Sequence, residues 1–401
     1  MSGSPSVSDV SAQQKRRVAL SAPYVGAREE ELVLDVLRSG RLSLGPAIDR
    51  FEELFAEAVG APYAAAVSSG TAGLHLLCRI AGLGPGDEAI TSPYSFVASA
   101  NCAIYEGATP VFADVDPRTL NLDPAAVEAA VTERTRAVVA VDIYGYPCEL
   151  DPLRAICDRY GLVLIQDSCE ALGALYRSAP VGSHGPSAVF AFYPNKQITT
   201  GEGGMVTTHS EEEWRLLKSL RNQGRADGGG WLDHARLGFN YRLDDVRAAI
   251  GIGQLERLGE ILALRRHAAE RYSGLLAGVD GLELPCPDDD EHVRSWFVYV
   301  VALPEGTDRE AVIAFLAERG VQTARYLPCI HLQSYMRERY GFAEGLCPVA
   351  EAASARTLAL PFHAGIDPDD QAYVADALAA ALALSAQRGD SRGNPRAREH
   401  P

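Results

Sequence analysis

Four short runs in this chain are apolar almost without interruption: Thr109-Pro-Val-Phe-Ala113, Ala137-Val-Val-Ala-Val141, Leu162-Val-Leu-Ile165 and Ala188-Val-Phe-Ala-Phe192. A strand with one face in water alternates apolar and polar residues, so a run without alternation needs cover on both faces. Helical patterns such as Pro152 to Tyr160 separate the runs. Strands alternating with helices, and covered on both sides, predict an α/β fold around a mostly parallel sheet.

A chain of 401 residues is long for one core and fits two packed domains. Residues 1–17 are small and polar and are expected to be disordered. A large domain is expected over 18–262, a small C-terminal α+β domain over 263–384, and a loose tail over 385–401. A long helical pattern from Leu243 to Leu276 leads out of the large domain. Beyond the acidic loop Asp288–Glu291, the small domain reads as a strand, Trp296 to Val301, then a helix with the capping box Thr307…Glu310 and a stop at Gly320. Asp367-Pro368 opens a last helix.

The net charge of −16 argues against nucleic acid as a partner, because phosphate backbones call for basic surfaces. No apolar run reaches the ~18 residues of a membrane span. The N-terminus lacks the order of a signal peptide, which predicts a cytoplasmic protein. None of the eight cysteines forms a CxxC pair, so free thiols are expected rather than a metal site or disulfide framework.

Only three of the 37 basic residues are lysine: Lys15, Lys196 and Lys218. A codon bias that favours arginine explains the scarcity, and a lysine kept in such a chain is a candidate for chemistry that arginine cannot do, such as imine formation. Lys15 lies in the polar leader and Lys218 in an apparently solvated helix, Glu211 to Arg221. Lys196 follows an apolar strand and precedes the glycine-rich Thr200-Gly-Glu-Gly-Gly204. It reads either as a partly desolvated nucleophile or as a surface lysine in a loop.

Asp167 ends another apolar strand, at the edge where open α/β sheets bind ligands. It can keep the ring nitrogen of pyridoxal 5'-phosphate (PLP) protonated, or it can simply cap a helix. In Ser68-Ser-Gly70-Thr71, small residues precede an amphipathic helix whose free N–H groups can hold a phosphate, or which is merely capped. Neither a Walker A loop nor GxGxxG occurs. A phosphate cradle, an acid for a ring nitrogen and an imine-forming lysine together describe one cofactor, PLP.

The sequence resembles the DegT-type (DegT/DnrJ/StrS) nucleotide-sugar aminotransferases, fold-type I PLP enzymes, over residues 18 to 384. The likeness rests on Ser39-Gly…Gly45-Pro46, Ser69-Gly-Thr-Ala72, Pro93-Tyr-Ser-Phe-Val-Ala98, Phe112-Ala-Asp-Val-Asp116, the Asp167 strand, Lys196-Gln-Ile-Thr-Thr-Gly-Glu-Gly-Gly204, Gly238-Phe-Asn-Tyr-Arg242, His331-Leu-Gln and Leu360-Pro361. The resemblance implies that Lys196 is the Schiff-base lysine and proton shuttle, and that Asp167 meets the pyridine nitrogen. It further implies that Phe96 stacks on the ring, that Gly70 and Thr71 bind phosphate, and that Tyr241 and His331 serve the substrate. Asn240 would reach the cofactor of a second subunit, which makes a homodimer with shared sites the working unit. On their own residues, Phe96 reads as core and Asn240 as a turn.

Two positions depart from the family pattern. Ala191 stands where many relatives have a phosphate-binding serine, five residues before the lysine, and Glu170 stands where Gln or His is frequent. The implied reaction moves an amino group from an amino acid, expected to be glutamate, to a nucleotide-linked keto sugar. A keto-cyclitol acceptor and a non-catalytic PLP-binding regulator are the alternatives. PLP-dependent sugar dehydration is disfavoured by Lys196, since such relatives carry histidine there.

Overall fold

A computed structural model describes residues 16–392 except 227, 229 and 231. In chain order the large domain contributes β1 (Tyr63–Val67), β2 (Glu88–Thr91), β3 (Thr109–Phe112), β4 (Thr135–Val141), β5 (Val163–Asp167), β6 (Leu175–Tyr176), β7 (Ala179–Pro180), β8 (Ser187–Ala191) and β9 (Gly204–Thr208). Seven of these form one sheet in the order β1-β9-β8-β5-β4-β2-β3. β9 runs antiparallel to both neighbours; the other pairings are parallel. The four apolar runs are β3, β4, β5 and β8, each within two residues of its expected start.

The absence of alternation in these runs follows from the cover on both faces. In β4, Ala137 and Val139 pack with Leu74, Leu77 and Cys102, while Val138 and Ala140 pack with Leu150, Leu153 and Ile156. Under β1, β8 and β9, Phe51 and Phe55 of the helix Pro46–Val59 interlock edge-to-face with Phe190 and Phe192. Truncating one of these fully buried rings to alanine should cost about 3–5 kcal/mol.

The small domain pairs β11 (Tyr299–Ala302) with β12 (Thr357–Leu360) antiparallel, while β10 (His292–Val293) joins β6. Tyr272, Tyr299, Leu316 and Leu378 form its core. The long helical pattern is broken in two, Asp245–Glu256 and Leu258–Leu276. Arg257 at the break has φ −114 and ψ 13, and its guanidinium is held by Glu29 Oε1 at 2.9 Å and the Tyr24 carbonyl at 3.2 Å. These ties to a distant segment override the apolar period.

The strand expected from Trp296 starts at Tyr299, and Arg265 takes the carbonyls of Trp296 and Phe297 just before it. Asp308, not Thr307, caps the helix Arg309–Glu318, accepting the Ala311 N–H at 3.1 Å; the Thr307 N–H closes a turn onto the Pro304 carbonyl instead. The final helix starts at Pro368 as expected, but it continues to Arg392 and so takes in the first eight residues of the expected tail. Ala386 and Gln387 are good helix formers. Residues 393–401, like 1–15 of the expected leader, lie outside the described residues.

Val18 exchanges backbone bonds with Gly320 and Gln322 and joins the small-domain core, so the chain's first described segment packs there rather than in the large domain. All eight cysteines are free, six of them buried. No helix among the described residues is long and apolar enough to cross a membrane.

Candidate active site

β1, β4, β5 and β8 point the same way, so their C-terminal ends gather at one edge of the sheet. A cavity of about 510 Å³ opens there. Ser69, Gly70, Thr71, Asp167, Glu170 and Lys196, far apart in sequence, all line it, and Phe96 lies at the same opening, 62% exposed.

Asp167 is the last residue of β5, in register between Val141 of β4 and Val189 of β8. It is buried. Ser99 Oγ donates to its Oδ2 at 2.7 Å, and the Cys169 N–H to its Oδ1 at 3.3 Å. No helix begins directly after Asp167, so the cap reading fails, and the Cys169 bond closes a turn instead.

Ser69 caps the helix Gly70–Ile80 through the Ala72 N–H at 3.1 Å, which leaves Gly70 and Thr71 in the first turn at the cavity. A Cβ on Gly70 would lie 2.7 Å from Cys169 Sγ and 2.9 Å from Ala191 Cβ. A Cβ on Gly204, where β9 begins, would lie 2.8 Å from the Gly70 nitrogen. Glycine at both places lets the turn pack tightly against Cys169, Ala191 and the start of β9. Ala191 lines the cavity too and has no hydroxyl to offer a phosphate.

Lys196 follows β8 in a tight turn, its N–H donating to the Tyr193 carbonyl at 2.9 Å. Its Nζ lies 3.4 Å from Glu170 Oε1 and 4.0 Å from the centroid of the Phe297 ring. Glu170 Oε2 accepts the Tyr144 N–H at 2.8 Å. Burial pushes the Glu170 carboxyl above its ordinary range; the Lys196 charge and the Tyr144 N–H pull the other way. Of the two described lysines, Lys196 alone lines the cavity. Lys218 is not solvated as expected but pairs with Glu52 at 2.6 Å.

Three expected residues lie elsewhere in the chain. Asn240 is exposed and bridges to Asn222. Tyr241 stacks on Phe239 and pairs through its hydroxyl with His75 Nδ1 at 3.0 Å. His331 is fully buried, with Nε2 2.9 Å from Glu351 Oε1. None of the three lines this cavity. Ser99, Tyr144, Phe297 and Tyr326 belong to the site's surroundings and escaped the sequence reading, since no local motif marks them.

A primary amine, a buried carboxylate and an open helix N-terminus around one cavity fit PLP: amine for aldehyde, carboxylate for ring nitrogen, N–H groups for phosphate.

Comparison with known proteins agrees. The chain is 38% identical to the spore coat polysaccharide biosynthesis protein SpsC of Bacillus subtilis, over 91% of this chain and 97% of that one. It is 39% identical to GDP-perosamine synthase of Caulobacter vibrioides, over 88% and 95% respectively. The crystal structure of S. venezuelae DesV in complex with a ketimine intermediate superposes with a TM-score of 0.84 at 32% identity, covering 90% of this chain and 98% of that one. Matched by the family model over residues 23–379, the chain belongs to the DegT/DnrJ/EryC1/StrS aminotransferase family.

Proposed function

We propose that this PLP-dependent aminotransferase takes an amino group from glutamate and delivers it to a nucleotide-linked keto sugar, in the cytoplasm, as a homodimer. The observation that carries this reading is the meeting of Lys196, Asp167 and the Ser69–Thr71 turn around one cavity. The similarity to GDP-perosamine synthase supports a sugar acceptor.

PLP supplies an aldehyde that joins amines and a ring that draws electrons from the carbon next to nitrogen. Lys196 Nζ holds that aldehyde at rest and, once released, moves a proton on and off the reacting carbon as general base and acid. Glu170, 3.4 Å from Nζ, would stand beside the reacting end of the amino acceptor. Asp167, fixed by Ser99 Oγ, keeps the ring nitrogen's proton in place. Gly70 and Thr71 offer the helix N-terminus to the phosphate. Phe96, exposed at the opening, covers the ring face.

Asn240, exposed and away from its own subunit's cavity, serves the cofactor phosphate of the partner. Such a donor offsets the hydroxyl missing at Ala191. Tyr241, beside Asn240, and His331 act on the substrate in the assembled dimer.

The test is a half-reaction. The protein is converted with glutamate to its pyridoxamine form, followed by the visible spectrum, then offered a panel of nucleotide-linked keto sugars and keto-cyclitols. Return of the PLP spectrum with the sugars supports the proposal. Return with cyclitols only replaces the acceptor, and no conversion by any amino acid makes the chain a non-catalytic binder.

A further inference from the structure

Arg265 sits on the helix Leu258–Leu276, which carries the chain from the large domain into the small one. It is 3% exposed, and among the described residues no carboxylate pairs with it. Its hydrogen-bond partners are all backbone carbonyls, and its guanidinium carbon lies 5.8 Å from the centroid of the Phe362 ring. Nη2 donates to Lys196 at 2.7 Å and Asn195 at 3.5 Å, and Nη1 to Phe297 at 3.2 Å and Trp296 at 3.4 Å. Nε has no partner, and burial alone pulls the guanidinium's pKa down to about 10.

A buried cation without a counter-ion is costly, several kcal/mol for the ion, and a well-packed apolar side chain would remove that cost. Here the charge joins two segments that Gln197 also ties, its Nε2 donating to Ser295 Oγ at 3.0 Å and to the Ser295 carbonyl at 3.2 Å. One is the turn that carries Lys196. The other carries Phe297, whose ring lies 4.0 Å from Lys196 Nζ. One guanidinium thus fixes both the backbone from which the lysine side chain starts and the surface on which its amine rests. A lysine side chain has four rotatable bonds and holds a reactive position only when both ends are fixed.

We infer that Arg265 is a positioning residue for Lys196, holding its carbonyl and Phe297 together so that the amine faces the incoming aldehyde of the cofactor. The inference rests on PLP being captured at Lys196, and the experiment separates the two claims. Arg265→Met and Arg265→Lys are compared with wild type in two measurements on cofactor-free protein. The first is the rate at which Lys196 condenses with PLP, with loss of water, read by borohydride trapping and mass spectrometry of the Lys196 peptide. The second is the dissociation constant of pyridoxamine 5'-phosphate, which fills the same site but has no aldehyde for the lysine to take.

Capture should slow at least ~10-fold in Arg265→Met, as expected when a reacting group is misplaced by a fraction of an ångström. Pyridoxamine phosphate should bind as in wild type. Arg265→Lys, which keeps a donor but not the fork, should fall between. Capture at the wild-type rate overturns the inference, and so does a parallel loss in both measurements, which is the mark of a merely structural residue. If Arg265→Met does not fold, Arg265→Lys alone is judged by the same two outcomes. Failure of the wild type to capture PLP at Lys196 would remove the cofactor assignment itself.

Discussion

Glu170 bridges Lys196 and Tyr144: its Oε1 lies 3.4 Å from Lys196 Nζ while its Oε2 accepts the Tyr144 backbone N–H at 2.8 Å. Burial raises its carboxyl above the ordinary value of 4.5 despite these partners. Relative to the unfolded chain, folding therefore shifts the carboxyl toward its neutral form. That contribution to stability is fully present below pH 4.5 and is lost as pH rises through the raised value. Glu170→Gln carries no such loss. The cofactor-free variant should melt higher than wild type above neutral pH, with the gap closing as pH falls toward 4.5. Parallel melting curves at every pH would show that the carboxyl is not strained by burial.

The same substitution should change the choice of amino acceptor more than the use of the donor, because Glu170 stands where many relatives have Gln or His. We expect the acceptor KM to move while the rate of the glutamate half-reaction falls by less than ~10-fold, under ~1.4 kcal/mol. Equal losses in both half-reactions would place Glu170 with the general machinery.

Lys196→Ala should abolish turnover and leave any bound PLP removable by dialysis. Lys196→Arg should be equally inactive, because a guanidinium keeps its proton and cannot capture an aldehyde. Turnover by Lys196→Ala in buffer without amines would defeat the assignment.

Asp167→Asn should keep the fold, since the amide oxygen can still accept the Cys169 N–H while the Ser99 hydroxyl turns to accept from the amide NH2, yet lose most of the rate. The amide cannot hold the ring nitrogen's proton by charge. A loss of ~100-fold or more is expected in single-turnover experiments, at least ~2.7 kcal/mol. A rate near wild type would leave Asp167 a merely structural role.

Gly70→Ala puts a methyl group 2.7 Å from Cys169 Sγ and 2.9 Å from Ala191 Cβ. Relief requires the turn to move, at about 1–3 kcal/mol. PLP affinity should fall ~10-fold or more as the phosphate donors shift, measured by equilibrium dialysis. Unchanged affinity would show that the phosphate is held elsewhere.

Mixing Lys196→Ala with Asn240→Ala subunits tests the shared site at limiting PLP. If Asn240 acts across the dimer, each hybrid contains one intact site and one doubly damaged site, and activity returns. An amide donor to a phosphate dianion is worth about 1.5–3 kcal/mol, enough for the Asn240→Ala homodimer to be short of cofactor on its own. No recovery on mixing would mean that each subunit builds its own site.

The sequence by itself determined the α/β fold, the order of its main strands along the chain, and the three segments that bring an amine, a carboxylate and a phosphate-binding turn. These are local matters. Apolar runs without alternation require cover on both faces, and Asp167 and Lys196 follow such runs directly. The tertiary structure decided what local pattern cannot carry. Sheet order brought Ser69, Asp167 and Lys196 to one edge although they are spread over more than a hundred residues. The helix break at Arg257 came from Glu29 and Tyr24, both more than two hundred residues away. The late start of β11 goes with Arg265, whose guanidinium holds the Trp296 and Phe297 carbonyls just before the strand. The same arginine reaches Lys196 from seventy residues along the chain, as Glu170 does from the end of a different strand. Such partners are chosen by packing in space, and no spacing in the sequence records them.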